Sequence, residues 1–441
     1  MRRELSRLRS AADATVAGSL GMRALDRPGL NDGMIFPESA FSDTTPMRAI
    51  RDAAGARAPL RGTLRVIVVL VDFADKPMTA TAQHFEDLFF STGVLPHGSV
   101  KEYYHEVTNN LIDIAGAVVG PYRMPKPLSA YANNESGMGT AQPNAQTLAY
   151  DAAVAADPHV DFTPYDNDGN GFVDAFIIIH AGHGAEVTGS HGDIWSHKWI
   201  LPNGPYTADQ TKIYGYLTVP EDSKIGVCAH ELGHLLFGWP DLYDTDYSSD
   251  GLGNWCLMAG GSWNGGGDLP AHPSAWCKAS QGWVTVVNQS QTATVNIPDV
   301  KTGHVVYRLW KNATVGREYF LVENRQRTKY DAGLPGDGLL IYHVDDSIAG
   351  NSNEVHPKVK VMEADGLRQL EQGINRGDAG DPFPGNTKNT AFTKASTPSS
   401  RAYGGRDSCV SVTDIGHSGA TMPATLSTHC AQSHGGSHGT S

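Results

Sequence analysis

The chain has 441 residues, 40% hydrophobic and 18% charged, with a formal net charge of −13. That length exceeds one compact core and suits two domains, and the apolar content excludes a disordered chain. The acidic balance argues against a nucleic-acid partner, which requires a basic face. No window reaches the apolar length of a membrane helix.

Residues 1–62 are polar and Arg/Ala-rich, with a short helix expected at the start; they read as a leader or pro-segment. Their N-terminus is basic but lacks an apolar h-region, so no signal peptide is read. TLRVIVVLVDF (63–73) holds the longest apolar run and reads as a buried, parallel-type strand. TAQHFEDLFFST and SVKEYYHEVT read as helices, and residues 111–120 alternate like a strand. Residues 144–157 form a further helix and 172–182 a further strand. Strands alternating with helices imply an α/β layer structure over residues 63–282. The helix that leads into AHELGHLLFGWPDLYD (229–244) is expected to start with Asp222 or Ser223 as N-cap. After Gly282 the segments HVVYRLW, EYFLVENRQ, GLLIYHVD, KVKVMEA and CVSVTDI read as strands. A mostly β region, sandwich-like and packed on the first, is therefore expected over 283–430, followed by a disordered tail, 431–441.

Five cysteines, Cys228, Cys256, Cys277, Cys409 and Cys430, show no Cys-x-x-Cys spacing, which excludes a thiolate zinc ribbon. Cys409 and Cys430 flank the last strand-like segments and are the expected disulfide, with buried reduced thiols as the alternative.

The chemistry concentrates at His230, Glu231 and His234. Two histidines four apart on a helix share one face, about 6 Å apart along the axis, so both imidazoles can reach one zinc ion. Glu231 then lies beside a metal-activated water as general base, and zinc brings the pKa of such a water to about 7. A His-Glu-x-x-His string also arises by chance. Here, though, the other helix positions (Ile225, Val227, Leu232, Leu235, Leu236) are apolar, as in a buried active-site helix. The next Glu is Glu318, in a strand-like segment, so a third ligand from a later helix is disfavoured. Gly238 offers a helix stop and Pro240 blocks continuation. Asp241 follows as the expected third ligand, with Asp244 and Asp246 as nearby spares. Met258 sits in a Gly-rich turn, NWCLMAGGSW, of the kind that underlies zinc ligands in metzincin proteases.

HELGHLLFGWPDLYD, LMAGGSW, YDNDGNGFVDAFIIIHAGHGAE and DIWSHKW, with the later EYFLVENRQ and DAGLPGDGLLIYHVD, together resemble the immune inhibitor A family of metalloproteases over roughly residues 63–415. The resemblance implies a metzincin-like, zinc-dependent endopeptidase that is normally exported. Its motif makes His230 and His234 ligands, Glu231 the base and Asp241 the third ligand. The family spacing is HExxHxxGxxD. Here Leu235, Leu236 and Phe237 put one extra residue before Gly238, which rotates everything after His234.

DNDGNGFVD (166–174) places Asp166, Asp168, Asn170 and Asp174 as in the first part of an EF-hand-like calcium loop, without the usual glutamate at the twelfth place. A calcium there would pin the strand that follows; an Asx-rich turn is the plain alternative. DAGLPGDG and GDAGDPFPG, further Asp/Gly loops, are second candidates for calcium. His180, His183, His191 and His197 fall where metzincins form the upper rim of the cleft. His197 and Tyr243 are the candidates for substrate or oxyanion contact. The leading expectation is a monomeric zinc endopeptidase acting on protein or peptide substrates. The alternatives are a catalytically silent, protease-derived protein- or glycan-binding protein and an intracellular metalloprotein. In the leader, Asp26 and Asp32 are candidates to cross the cleft as blocking carboxylates.

Overall fold

A computed structural model describes residues 27, 29–32, 42, 44–46, 49, 50, 52, 53 and 56–430. The start of the chain with Asp26, and residues 431–441, lie outside the described residues. Among those residues the first layer is a five-stranded sheet in the order β2-β1-β3-β7-β4. Its strands are β1 (Gly62–Asp72), β2 (Ile112–Arg123), β3 (Phe176–His180), β4 (His197–Ile200) and β7 (Gly215–Pro220); β5 (Tyr206–Ala208) and β6 (Thr211–Ile213) form a separate hairpin. β2, β1, β3 and β7 run parallel, and β4 joins β7 antiparallel at the edge.

The apolar run of β1 is continuous because both faces of the sheet are covered. Leu64, Val66, Val68 and Leu70 face one core, and Ile67, Val69 and Val71 face the other. The first core receives α1 (Ala82–Phe90) and α2 (Val100–Val107), the second α3 (Ala145–Ala156). Local signals set the helix starts. Ser99 and Glu102 form a capping box on α2, and Asn144 and Thr147 form one on α3.

The motif helix, α4 (Ile225–Phe237), is buried at all its positions and packs on the first core. Its N-cap is Lys224, without a side-chain bond, and not Asp222 or Ser223 as the sequence suggested. The Asp222 carboxylate is engaged by His183 at 2.6 Å, and the Ser223 hydroxyl lies 3.5 Å from Cys228 Sγ. Gly226 lets α4 lie directly on the following segment, since a Cβ there would come within 1.9 Å of the Ser262 carbonyl oxygen.

Beyond residue 282 the chain builds a second five-stranded sheet, β13-β12-β11-β10-β8, and a three-stranded sheet, β14-β15-β9. The strands are β8 (Thr285–Asn288), β9 (Ala293–Pro298), β10 (Val305–Leu309), β11 (Glu318–Arg325), β12 (Gly338–Asp345), β13 (Val359–Val361), β14 (Ser411–Thr413) and β15 (Thr421–Ser427). β13 and β14 are shorter than their sequence patterns. The molecule mixes helices with parallel and antiparallel sheets, an α+β arrangement. The larger sheet is a middle layer. Val306, Leu321, Tyr342 and Val344 join the core that holds α4, while Phe320, Val322, Leu339 and Ile341 join a core shared with the smaller sheet. Buried ion pairs knit the layers. Lys278, on α5 (Ala275–Ser280), meets Glu323 at 2.7 Å; Arg325 meets Glu323 at 3.0 Å and Asp331 at 2.6 Å. A disulfide joins Cys409 to Cys430, and Cys228, Cys256 and Cys277 are buried and reduced.

Candidate active site

Four residues of one short stretch converge. His230 and His234 project from the same face of α4. The helix ends at Gly238, whose φ of +67° reverses the chain and whose N–H caps the Gly233 and His234 carbonyls. Pro240 prevents resumption, and Asp241 turns back beneath the two rings. Its Oδ1 lies 3.0 Å from Nε2 of each histidine, and the two Nε2 atoms are 3.2 Å apart. Thus the extra residue before Gly238 is absorbed as a last helical residue, and Asp241 still reaches the histidines.

The histidine tautomers are set from behind. His230 Nδ1 donates to the Leu257 carbonyl at 2.8 Å and His234 Nδ1 to the Trp239 carbonyl at 2.5 Å, leaving both Nε2 lone pairs aimed at the shared point. Met258 supports them from below. A Cβ at Gly233, between the histidines, would meet its Sδ at 2.5 Å, and the Met258 carbonyl receives the Leu242 N–H at 2.7 Å. Two imidazoles and a carboxylate form a donor set suited to zinc. Bonds of about 2.0–2.1 Å in a tetrahedron give ligand separations of about 3.3 Å, close to the observed triangle.

Glu231 is buried beside this triangle, and its Oε2 has no hydrogen-bond partner. Burial lifts its carboxyl to about 8, opposed by His230 and reinforced by Asp241 and Glu186. A divalent cation next to it would oppose that rise. Asp241 is held low despite its burial, because both histidines face it. Tyr243 stacks on His230 with ring centroids 6.3 Å apart and lines the same cleft. Asp244 and Asp246 do not join the cluster. Asp244 accepts from Ser248 and Ser249, and Asp246 from the Ser248 N–H.

Residues 60–286, more than half of the chain, match the catalytic domain family of immune inhibitor A peptidases, M6. The chain belongs to the immune inhibitor A peptidase family. Curated relatives include the pre-pro-metalloprotease PrtV of two Vibrio cholerae serotype O1 strains, 31% identical over 277 residues, 49% of this chain and 29% of theirs. Immune inhibitor A of Bacillus thuringiensis subsp. alesti is 31% identical over 252 residues, 46% of this chain and 36% of the relative. The chain therefore spans about a third of the length of the curated relatives it matches.

Within this immune inhibitor A fold the remaining candidate residues separate. His197 corrects the expectation of a cleft contact. It is fully buried on β4, with Nδ1 on the Trp195 carbonyl and Nε2 on the Tyr216 hydroxyl, and burial lowers it to about 4. It sits in strand pairing with Thr218, so its ring is committed to the core. His180 is also buried, bonding the Ala181 carbonyl, and His183 is exposed and paired with Asp222. Asp166, Asp168 and Asp174 bring carboxylate oxygens within 4.8 Å of one another. Asn170 shares the turn, its N–H on Asp166 and its side chain on Asp168. The N-terminal segment enters here: Arg57 Nε is 2.9 Å from Asp168 and its Nη2 3.2 Å from Asp174.

The N-terminal segment also reaches the cleft, by a residue that sequence reasoning did not select. Asn31 Nδ2 donates to Asp241 Oδ2 at 3.0 Å. The neighbouring Asp32 accepts instead from the buried Lys198 of β4 at 3.3 Å, while the Asn31 N–H donates to the Lys198 carbonyl and the Lys198 N–H to Asn31 Oδ1, each at 3.0 Å. Asp32, expected as a blocking carboxylate, is thus paired with Lys198, and it is Asn31 that contacts Asp241. Glu186 and Arg376, which also line the cleft, were not selected either. Glu186 ends the stretch YDNDGNGFVDAFIIIHAGHGAE but was not singled out within it, and Arg376 comes from a distant segment that carries no motif. Asp241→Ala is expected to weaken zinc binding by more than the roughly 10–100-fold that outer-shell changes cost, with Asp244→Ala near the parent. Zinc titration of the two variants with a competing chelator checks this.

Proposed function

We propose that this chain is a zinc-dependent endopeptidase that hydrolyses peptide bonds in protein substrates. The observation that carries the reading is the triangle of His230 Nε2, His234 Nε2 and Asp241 Oδ1, with the unpartnered Glu231 carboxylate beside it. Those three atoms would hold zinc, which supplies Lewis acidity and makes a water acidic enough to ionise near neutral pH. Glu231 takes the proton from the attacking water and returns it to the leaving amine. Tyr243, stacked on His230, is in position to contact the substrate carbonyl as its oxygen gains charge. Glu231 has no role in a silent binding protein, which disfavours that alternative. The parallel sheet with its antiparallel edge strand and the methionine beneath the ligands support a metzincin-like catalytic unit over 63–282. The two sheets of 283–430 form a sandwich-like brace. Metal analysis combined with cleavage of a casein-type substrate tests the reading. Zinc-loaded protein that cleaves nothing, both as the full chain and as a chain beginning near Arg61, rejects it.

Residues 1–62 act on this reading as an inhibitory leader, and the protein is exported and works as a monomer. A pre-pro form is in the name of the Vibrio relatives. Asn31 at Asp241 supports the leader's role, since its segment lies where substrate must enter. A chain beginning near Arg61 is expected to cleave faster than the full chain when both are zinc-loaded; equal specific activity rejects inhibition. The same pair tests calcium at Asp166, Asp168, Asn170 and Asp174. Arg57 neutralises this loop in the full chain, so calcium should raise the melting temperature more in the shortened one. Ligand at 100 times its Kd stabilises by about 2.7 kcal/mol. Identical calcium responses in the two chains would reject competition with Arg57.

A further inference from the structure

Just past β13 the chain carries Glu363 and Asp365, and after a long excursion it returns with Asp378 and Asp381. Backbone bonds align the two passes: the Ala364 N–H meets the Asp381 carbonyl at 2.8 Å, and the Asp365 N–H meets the Gly380 carbonyl at 3.1 Å. The result is a cluster in which Glu363, Asp365 and Asp381 each offer an oxygen within 4.8 Å of the others. Gly380 permits the approach, because a Cβ there would come within 2.3 Å of Asp365 Oδ2.

The bonding of Asp381 is incomplete. The residue is fully buried, and its Oδ2 accepts from Trp255 Nε1 at 2.9 Å and the Asp378 N–H at 3.0 Å. Its Oδ1 is buried without any partner. A buried carboxylate oxygen left in that state is costly. Among the described residues no ion pair supplies a countercharge to Glu363, Asp365 or Asp381. The nearest lysine, Lys360, is bonded to Glu371. Glu363 is 4% exposed, and each of its oxygens takes one backbone N–H, from Gln369 and Leu370, which leaves lone pairs free. Burial raises both carboxyls, with Asp381 at about 7, and Glu363 adds to the rise of Asp381. Three acidic side chains, two of them buried, thus face one another with an unfilled acceptor, and the basic neighbours of Glu363, Lys360 and Arg368, are both bonded to Glu371.

We propose that Glu363, Asp365 and Asp381 bind a divalent cation of the calcium type through the unpartnered Oδ1 of Asp381 and the free lone pairs of the other two carboxylates. An all-oxygen, carboxylate-rich donor set of irregular geometry suits calcium better than zinc or magnesium. The ion closes the base of the excursion 366–380. That excursion forms one wall of the cleft. The Leu370 carbonyl receives the Asp250 N–H at 2.9 Å, the Arg376 carbonyl receives the Asn254 N–H at 2.7 Å, and Arg376 lines the cleft itself. The cation therefore braces a substrate-facing wall from the β-rich half of the chain. The site is independent of the zinc reading, and its test does not depend on catalysis.

Trp255 makes the test direct. Its indole is bonded to Asp381, so a terbium ion seated there lies within range of sensitisation by that tryptophan. The full chain, loaded with zinc and stripped of calcium, is titrated with terbium(III) under tryptophan excitation and then with competing calcium. Saturable sensitised emission that calcium displaces is expected. Asp365→Asn should weaken terbium binding about tenfold or more by removing one ligand charge, whereas Asp168→Asn should leave that emission unchanged. Asp365 is only half-buried, so its variant tests the site even if Asp381→Asn fails to fold. Parent-like terbium affinity and emission in both Asp365→Asn and Glu363→Gln would overturn the proposal, as would loss of the signal in Asp168→Asn alone.

Discussion

Replacing Glu231 by glutamine is expected to lower kcat for peptide hydrolysis by about 10²–10⁴-fold, the range a positioned general base contributes. Glutamine matches glutamate in shape and stays within α4, so the helix and its neighbours need not move. Glu231 is not one of the three atoms of the His230–His234–Asp241 triangle, and zinc content should remain that of the parent. Folding should not suffer, because the substitution removes a buried carboxylate with an unpartnered oxygen and replaces a costly charge with a neutral amide. The measurement is paired: metal content by mass spectrometry and initial rates on a quenched peptide, in the same preparation. A zinc-loaded variant retaining more than a tenth of parental activity would remove Glu231 from the proposed mechanism.

The second large effect is on stability. Arg325→Met should cost about 3–5 kcal/mol, the penalty for breaking a buried pair from one side. Arg325, Glu323 and Asp331 are all fully buried. Arg325 gives Asp331 two bonds, at 2.6 and 2.7 Å, and Glu323 one at 3.0 Å. Without it, Lys278 holds Glu323 at 2.7 Å and Lys301 holds Asp331 at 3.3 Å, an incomplete replacement. Arg325 also donates to the Trp255 carbonyl at 3.3 Å, so some loosening near Met258 should accompany the loss. Urea denaturation of the zinc-loaded full chain reads the difference. A loss below about 1 kcal/mol would mean that the two lysines suffice.

What was legible in the sequence was what local chemistry dictates. The β1 run, the α3 pattern and the strands of the β-rich half declared themselves because burial selects apolar residues at fixed periods. His230, Glu231, His234, the Gly238 stop and Asp241 were legible because one helix and one turn hold them all. The N-cap of α4 was misjudged because the helix starts one residue later than expected, and Asp222 has a distant partner, His183, that no local rule reveals. His197 was misjudged because a histidine in a histidine-rich stretch looks functional until both its nitrogens are seen to be satisfied inside a sheet. Asn31, Arg57, Glu186 and Arg376 were invisible for a different reason. Each meets its partners through chain folding, and a lone Asn or Arg in a loop has no spacing to read.

The middle-layer position of the sheet β13-β12-β11-β10-β8 governs what can be moved between proteins. Its one face completes the core beneath α4, and its other face completes a core with the smaller sheet. A gene fragment stopping near residue 282 would carry every residue of the proposed chemistry, yet it would present to water the apolar surface against which Val306, Leu321, Tyr342 and Val344 now lie. Such a surface invites aggregation. The smallest transplantable unit of this chain is therefore much longer than the stretch that holds its catalytic motif, and recombination that respects only the motif would yield insoluble protein.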